Sequence, residues 1–575
     1  MDLIEKSRKA AQEWMANRAM DDQTKAEVKK LLEASDDREL IDRFYRNLEF
    51  GTGGLRGTMG VGPNCINRYT IGAATQGLAN YLKKSFPDIT PKVAIAYDSR
   101  NNSSVYARVS ADVFTANGIE VHLFPELRPT PLLSFAIRYL KCQGGVVITA
   151  SHNPKEYNGY KAYWEDGAQL VPPHDKNVIT EVNAITDYDQ ILFIGNPALL
   201  HMIGPEVENA YYKEVIGRIP REESIRNQKD ISIVYSSLHG AGITMVPEIL
   251  GRLGFENVHV VEEQKNPDGN FPTVQSPNPE ERSAMIMALE AGKKYQAELI
   301  MATDPDTDRV GIAIRDPHGE YLLLNGNQAL SIMLWFILKN YKTGDKPGYL
   351  AKTVVTTELI DKMALHFEIE CVNTLTGFKY IAELINKNEG KKDFIAAGEE
   401  SYGYMIGDFV RDKDAVSSCA FFAALAAAAK DKGQTMFEWL IKVYQDHGYY
   451  REGLLNLVRK GAAGEQEIKE MMRKFRQNPP ETIAGSPVVR MLDYQSGIDQ
   501  DLDQEITRPL NFPKSDVLQF YTKDGSKISV RPSGTEPKIK FYISVKTLLN
   551  HPEDFNQTTN ELESRIRTIE KEITA

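Results

Sequence analysis

The first residues that could do chemistry form a serine loop, Thr149-Ala150-Ser151-His152-Asn153-Pro154. An apolar run at 146–148 precedes it, so Ser151 stands at the end of a buried strand, where α/β folds present groups to ligands. Asn153 and Pro154 interrupt regular structure and hold the loop tight. A capped turn would use the same residues. A serine-hydrolase elbow is excluded, because Thr149 and Asn153 stand where its glycines belong. The second cluster is Asp304-Pro305-Asp306-Thr307-Asp308-Arg309. In an extended segment alternate side chains point the same way, so three carboxylates would converge and repel one another unless a cation joins them. An oxygen-only donor set suits magnesium or calcium, and open coordination positions suit a metal shared with a phosphate. The EF-hand reading fails, since Arg309 and Arg315 replace the glycine and the closing glutamate. A solvated acidic turn is the alternative.

Two further segments carry anion and hydroxyl chemistry. Arg531-Pro532-Ser533-Gly534-Thr535-Glu536-Pro537-Lys538 combines a guanidinium, two hydroxyls and a glycine that exposes backbone N–H groups, the ingredients of a phosphate cradle. Gly398-Glu399-Glu400-Ser401-Tyr402-Gly403 offers carboxylate and hydroxyl groups to sugar hydroxyls. Each also reads as an ordinary loop. Gly51-Thr52-Gly53-Gly54-Leu55-Arg56-Gly57 is neither a dinucleotide fingerprint nor a P-loop, and presents Arg56 on a flexible loop. Thr376-Gly377-Phe378-Lys379 adds a backbone donor and a cation after a strand.

The elements that must position these groups alternate. Strands are predicted at 93–97, 119–124 and 146–149, with a helix at 103–117. The rhythm repeats at 231–314 and again at 350–397, which predicts α/β units with parallel or mixed sheets. The last part differs: a helix at 465–476, strands at 517–521, 527–530 and 538–545, and a helix at 555–573 predict a small α+β domain. Helical composition covers 3–33, and the alanine-rich run at 419–429 is too short to span a bilayer and reads as a buried helix. A chain of 575 residues with net charge −11 suggests several cores and argues against nucleic acid as the main partner, though not against an anionic substrate in a locally basic cleft. Four scattered cysteines without a CxxC pair, and no apolar signal core at the N-terminus, lead to the expectation of a cytoplasmic protein with no membrane partner.

Taken together, the segments at 149–154, 304–309, 398–401 and 531–537 stand in the order and spacing of the α-D-phosphohexomutase superfamily, which the chain resembles over nearly its whole length. The stretch at 50–57 and the overall length look most like the phosphoglucomutase/phosphopentomutase branch. The resemblance implies four domains around a central cleft, three related α/β domains and a C-terminal α+β domain, at 1–205, 206–325, 326–448 and 449–575. It implies that Ser151 carries a phosphoryl group and that Asp304, Asp306 and Asp308, with the phosphoserine, hold Mg2+. Lys161 matches a general base and Lys413 another active-site lysine, with Arg56 and His152 in the catalytic group. Glu399 and Ser401 would contact sugar hydroxyls, and Arg531, Ser533, Gly534 and Thr535 would grip the non-reacting phosphate. Thr376, Gly377, Lys379 and Arg309 complete the expected substrate-binding group. Ala415 departs from the glycine expected after Lys413-Asp414, which leaves that turn open.

The expected activity is interconversion of α-D-glucose 1-phosphate and glucose 6-phosphate, primed by glucose 1,6-bisphosphate, with small sugar phosphates as partners and neither nucleic acid nor membrane among them. Mannose and pentose phosphates remain alternatives, as do a metal-dependent sugar phosphatase and a non-catalytic sugar-phosphate binder. A free lysine, at about 10.4, is too basic to accept a proton readily at neutral pH, so cations around Lys161 are expected to depress its pKa.

Overall fold

The computed structural model describes residues 3–51, 53–220, 222–459, 461–533 and 538–574. The chain forms two compact units. The first comprises Met1–Asn325, Phe378–Ala397 and Ser401–Gly433, and the second Gly326–Gly377, Gly398–Glu400 and Gln434–Ala575.

The first unit contains two mixed sheets. One runs in the order Gly54–Thr58, Tyr157–Trp164, Gly144–Ile148, Lys92–Tyr97, Glu120–Leu123, Leu200–Met202. Its first two pairings are antiparallel and the rest parallel. Strand Gly144–Ile148 is buried along its whole length, as a strand covered on both faces must be. Helices Arg68–Ser85 and Ser103–Ala116 pack on it, joining Ile71, Leu78, Leu82, Tyr106, Phe114, Val146 and Ile148 in one core. Asn67 caps the first of these helices, accepting the Tyr69 and Thr70 N–H groups while Thr70 Oγ1 takes the Asn67 N–H. The other sheet runs Tyr321–Leu323, Val310–Arg315, Leu299–Thr303, Ile233–Ser236, Val258–Val260, and the acidic segment connects two of its antiparallel neighbours. The alanine-rich helix spans Ala415–Asp431 and is buried through Ala429.

The second unit carries the parallel pair Gly348–Thr353 and Glu370–Thr374 and the buried helix Gly326–Asn340. It also holds an antiparallel sheet ordered Tyr449–Val458, Lys538–Thr547, Lys527–Pro532, Leu518–Thr522, Ser486–Asp493, Ile498–Asp501, Ile506–Pro509. The α+β reading of this last segment holds, with two flanking helices, Gly461–Gln477 and Phe555–Thr574. Among the described residues no helix is long and apolar enough to cross a membrane.

Two expectations are corrected. Arg56 does not sit on a flexible loop: Gly54–Thr58 is a strand paired with Tyr157–Trp164, placing Arg56 opposite Gly159 and Gly54 opposite Lys161. The apparent glycine flexibility reflects close packing, because a Cβ on Gly54 would lie 1.7 Å from Tyr160 O. Nor are the three aspartates aligned by an extended backbone. Residues 305–308 form turns and bends, with Thr307 left-handed at φ 59°, and the turn itself gathers the carboxylates.

Candidate active site

Ser151 follows the buried strand Gly144–Ile148 and adopts a left-handed backbone, φ 51°. Its hydroxyl donates to Asp304 Oδ2 at 2.8 Å, which joins the serine loop to the acidic turn. The other oxygen of Asp304, Oδ1, accepts the Asp308 N–H at 3.1 Å and the Arg309 N–H at 3.0 Å. Asp304, Asp306 and Asp308 are all buried and offer carboxylate oxygens within 4.8 Å of one another.

Two lysines close on this turn. Lys161, from strand Tyr157–Trp164, donates to Asp306 Oδ2 at 2.6 Å and Asp308 Oδ2 at 3.1 Å. Lys413 Nζ lies 3.2 Å from Asp308 Oδ2 and 2.9 Å from Asp412 Oδ1. Asp412 Oδ2 in turn accepts from Tyr163 Oη at 2.8 Å and Gln169 Nε2 at 2.9 Å. The turn left open by Ala415 is now defined. Asp414 caps helix Ala415–Asp431 through the Ser417 N–H, and the Ala415 N–H reaches Thr307 O at 3.2 Å. The lysine loop is therefore anchored on the acidic turn itself.

Burial, the largest influence, pushes Asp304 well up, and Asp306 and Asp308 push it further in the same direction. Burial also opposes ionisation of Asp308, but Lys161, Lys413 and Arg309 together hold its carboxyl well below the usual range. For Lys161 the expectation fails. Burial pulls its pKa down and Lys413 assists, but Asp306 and Asp308 outweigh both, and the ammonium is held above its ordinary value. The lysine is an ion-pair partner of the acidic turn before it can be a base. His152 is the reverse case. Burial, then Arg309 and Arg56, push its imidazole well below the ordinary value, leaving it neutral 3.2 Å from Ser151 Oγ.

The remaining cations are more loosely placed. Arg56 donates to Asn153 Oδ1 at 3.2 Å, and Arg309 pairs with Glu280. Lys379 begins the turn of helix Phe378–Asn388. Burial lowers its pKa while Asp175 and Glu383 oppose, and no bond ties it to the acidic turn among the described contacts. Ser401, half-buried, lies on the connection before strand Tyr404–Ile406.

In the second unit, Glu399 Oε1 accepts the Gly377 N–H at 2.9 Å, so two of the expected substrate-binding positions meet. Thr376 lies beside them with its hydroxyl buried. Glu400, rather than Glu399, receives the hydroxyls of Thr353 and Thr356, each at 3.2 Å. Arg531 is on strand Lys527–Pro532, and the Ser533 N–H donates to Lys538 O at 2.8 Å. Tyr542, raised by burial and then by Glu400 and relieved by Arg531, lies within electrostatic reach of both loops. Gly534 and Thr535 lie outside the described residues.

Several site residues escaped the sequence reading. Thr130 opens helix Thr130–Tyr139, with its hydroxyl on Asp306 Oδ2 at 2.8 Å and its N–H on Asp306 O at 2.8 Å. Asp412, Tyr163, Gln169 and Glu280 orient or pair the cations, and Asp98 and Arg100 hold the serine loop. Asp98 and Arg100 follow a predicted strand, and the strand-end rule that exposed Ser151 would have found them as well.

The acidic turn fits a divalent cation. Asp306 Oδ1 and Asp308 Oδ1 are buried with no hydrogen-bond partner among the described residues, while their Oδ2 atoms are engaged by lysine and threonine. An oxygen-only set with buried oxygens free of hydrogen bonds is the donor chemistry of a hard divalent cation such as magnesium or calcium.

Comparison with known proteins agrees with this architecture. The chain matches the phosphoglucomutase/phosphomannomutase alpha/beta/alpha domains I, II and III over residues 47–189, 209–319 and 325–446, and the C-terminal domain over 466–547. It is 36% identical over 519 residues to a phosphoglucomutase of Staphylococcus haemolyticus, covering 90% of this chain and 93% of that protein. A Staphylococcus aureus phosphoglucomutase is 38% identical over 529 residues, with the same coverage. The fold resembles the open form of parafusin, a phosphoglucomutase from Paramecium, with TM-score 0.67 and 20% identity over 91% of this chain and 96% of that one. With all four domains matched in order and relatives aligned along nine-tenths of its length, the chain belongs to the phosphoglucomutase/phosphomannomutase family.

Proposed function

We propose that this protein is a phosphoglucomutase, interconverting α-D-glucose 1-phosphate and glucose 6-phosphate with Ser151 as phosphoryl carrier. The observation that carries the reading is the placement of the Ser151 hydroxyl 2.8 Å from Asp304, on a turn with unused buried carboxylate oxygens. Names of relatives aligned over nine-tenths of the chain support glucose as the sugar.

In the forward direction the 6-hydroxyl of glucose 1-phosphate attacks the phosphorus of phosphoserine 151. The new O–P bond forms as the Ser151 Oγ–P bond breaks, giving glucose 1,6-bisphosphate. Lys161, in its neutral form, would accept the hydroxyl's proton and return it to Ser151 Oγ as that oxygen leaves. The bisphosphate reorients; Ser151 Oγ forms a bond to the phosphorus of the 1-phosphate as the O1–P bond breaks, the serine proton is transferred to O1, and glucose 6-phosphate departs with phosphoserine 151 restored. Transfer of this kind depends on positioning and charge stabilisation. Arg56, Arg309, Lys413 and Arg531 supply cationic groups, and Glu399 with Gly377 and Ser401 offer acceptors and donors to the sugar. Asp304, Asp306 and Asp308 would hold Mg2+, which supplies positive charge against the phosphoryl oxygens. Glucose 1,6-bisphosphate serves as primer. The division at 1–205, 206–325, 326–448 and 449–575 is part of this proposal. So is a cytoplasmic location, which suits four cysteines that are all unbridged.

The test combines protein, Mg2+, glucose 1-phosphate and catalytic bisphosphate, and measures glucose 6-phosphate and free phosphate together. Isomer without net phosphate release is expected, along with a mass increase of one phosphoryl group that Ser151→Ala lacks. Free phosphate as the main product, or full activity in Ser151→Ala, refutes the reading.

A further inference from the structure

The serine loop is held by two charged groups that the proposed chemistry leaves unused. Strand Lys92–Tyr97 runs into Asp98-Ser99-Arg100, and the Asp98 and Arg100 side chains are both 0% exposed. Arg100 aims its guanidinium at backbone. Nη2 donates to Ser151 O at 2.5 Å and to Asn153 O, and Nη1 donates to Pro154 O at 2.9 Å and Tyr157 O at 3.0 Å. The guanidinium carbon lies 5.1 Å from the centroid of the Phe271 ring. Asp98 acts on the same loop through Thr149. Its Oδ2 accepts from Thr149 Oγ1 at 2.6 Å, and Thr149 Oγ1 accepts the Ser151 N–H at 2.8 Å. Its Oδ1 is filled by Ser103 Oγ at 2.7 Å and the Arg100 N–H at 2.9 Å.

A guanidinium present only to neutralise Asp98 would direct its fork at the carboxylate. Here the approach to Asp98 is by Nε alone, at 3.5 Å, and the fork gathers four carbonyls of one loop. At the centre of that loop Ser151 holds φ 51°, a conformation that a non-glycine residue keeps only where its surroundings impose it. We propose that Asp98, Thr149 and Arg100 are positioning residues, a clamp that fixes the left-handed backbone of Ser151 and so aims its Oγ at the acidic turn. The proposal rests on Ser151 being the phosphoryl carrier. Lysine cannot replace the clamp's cation, because one ammonium cannot reproduce a planar fork spanning four carbonyls.

The test uses Thr149→Val, Thr149→Ser and Arg100→Lys in the full chain. Misplacing a reacting group by an ångström costs about 10²-fold, so Thr149→Val and Arg100→Lys are expected to lose about that factor in kcat with KM for glucose 1-phosphate nearly unchanged. Thr149→Ser, which keeps the hydroxyl, is expected to restore the rate. Amide exchange of residues 151–157, followed by mass spectrometry without substrate, is expected to quicken about tenfold in the two damaging variants and not in Thr149→Ser. Exchange needs no turnover, so an inactive wild type refutes the proposed function while the exchange arm still decides the clamp. Unchanged exchange at 151–157, or faster exchange spread across all of 47–189, overturns the clamp. So does a loss confined to KM.

Discussion

Replacing Lys161 separates its two roles. In Lys161→Met, Asp306 Oδ2 loses an ammonium at 2.6 Å and keeps Thr130 Oγ1 at 2.8 Å, while Asp308 Oδ2 keeps Lys413 at 3.2 Å. Removing one partner of a buried ion pair costs about 3–5 kcal/mol, because the remaining charge is stranded. Losing a general base costs about 10²–10⁴-fold in rate, a barrier increase of about 3–5 kcal/mol. The two effects have similar size, so Met alone cannot tell them apart. Lys161→Arg can: it keeps the cation but holds its proton, because a guanidinium stays charged throughout the working pH range. Thermal unfolding in chelator should show Met strongly destabilised and Arg close to wild type. A coupled assay for glucose 6-phosphate should show both variants slowed by at least about 100-fold. The wild-type lysine must also give up a proton although its ammonium is held above the ordinary value. As base, it should give a rate that rises with pH towards an alkaline plateau. As ion-pair partner, its stabilisation is complete below the unfolded value of about 10.4 and is lost as pH climbs through the raised folded value. If Lys161→Arg turned over at the wild-type rate with the same pH profile, Lys161 would be only a structural cation.

Asp306→Asn should keep its oxygen towards Lys161 and Thr130 and turn an N–H towards the unused oxygen position. Mg2+ affinity by calorimetry should then fall by about 100-fold or more, and a fall under tenfold would count against the donor set. Glu452, on strand Tyr449–Val458, is pushed up to about 7 by burial, with Thr357, Arg451 and Lys527 opposing. The folded state thus binds a proton more tightly than the unfolded one, so this group's penalty appears as pH rises above its ordinary value of 4.5 and is complete above about 7. Glu452→Gln should therefore stabilise the protein at pH 8 by up to about 3 kcal/mol and have no effect near pH 4, which denaturation at the two pH values will check. Gly54→Ala would force a Cβ to 1.7 Å from Tyr160 O at φ +135°. It should destabilise the protein by about 2–4 kcal/mol, readable as a lower Tm, and an unchanged Tm would argue against the pairing with Tyr157–Trp164.

The serine and acidic segments were legible because each concentrates its chemistry in a few consecutive residues after a strand. Helix Ser103–Ala116 was legible to within a residue of the predicted 103–117, its apolar spacing being local. What joins the loops was not. Thr130 meets Asp306 across 176 positions and Tyr163 meets Asp412 across 249, and neither contact leaves a periodic trace. The strand Tyr157–Trp164 was obscured by its Asn158-Gly159 pair, which reads as a turn. Gly159 is there for another reason. A Cβ would lie 2.6 Å from Thr149 O and 2.7 Å from Leu55 O, so glycine permits close approach of neighbouring backbones. The expected pKa of Lys161 failed similarly: counting nearby cations in sequence omitted the two carboxylates that its strand delivers to its ammonium.

Those carboxylates explain why cationic side chains and a cation site occupy one turn without excluding each other. On Asp306 and Asp308 the Oδ2 atoms take the protein's own donors, and the Oδ1 atoms are the ones left without hydrogen bonds among the described residues. Each carboxylate is thus oriented from one side by Lys161, Lys413 or Thr130 and keeps on its other side an oxygen without a hydrogen bond, which on Asp308 lies 3.8 Å from Arg309 Nε. Three buried aspartates and Asp412 carry four negative charges if all are ionised, against Lys161, Lys413 and an Arg309 shared with Glu280. Repulsion among the aspartates is visible in Asp304, whose carboxyl is pushed well up by burial and by its two neighbours. Further positive charge relieves that repulsion, and drawing charge from Asp306 and Asp308 weakens their hold on the Lys161 proton. A cation bound at the acidic turn would therefore bring the Lys161 ammonium closer to releasing its proton.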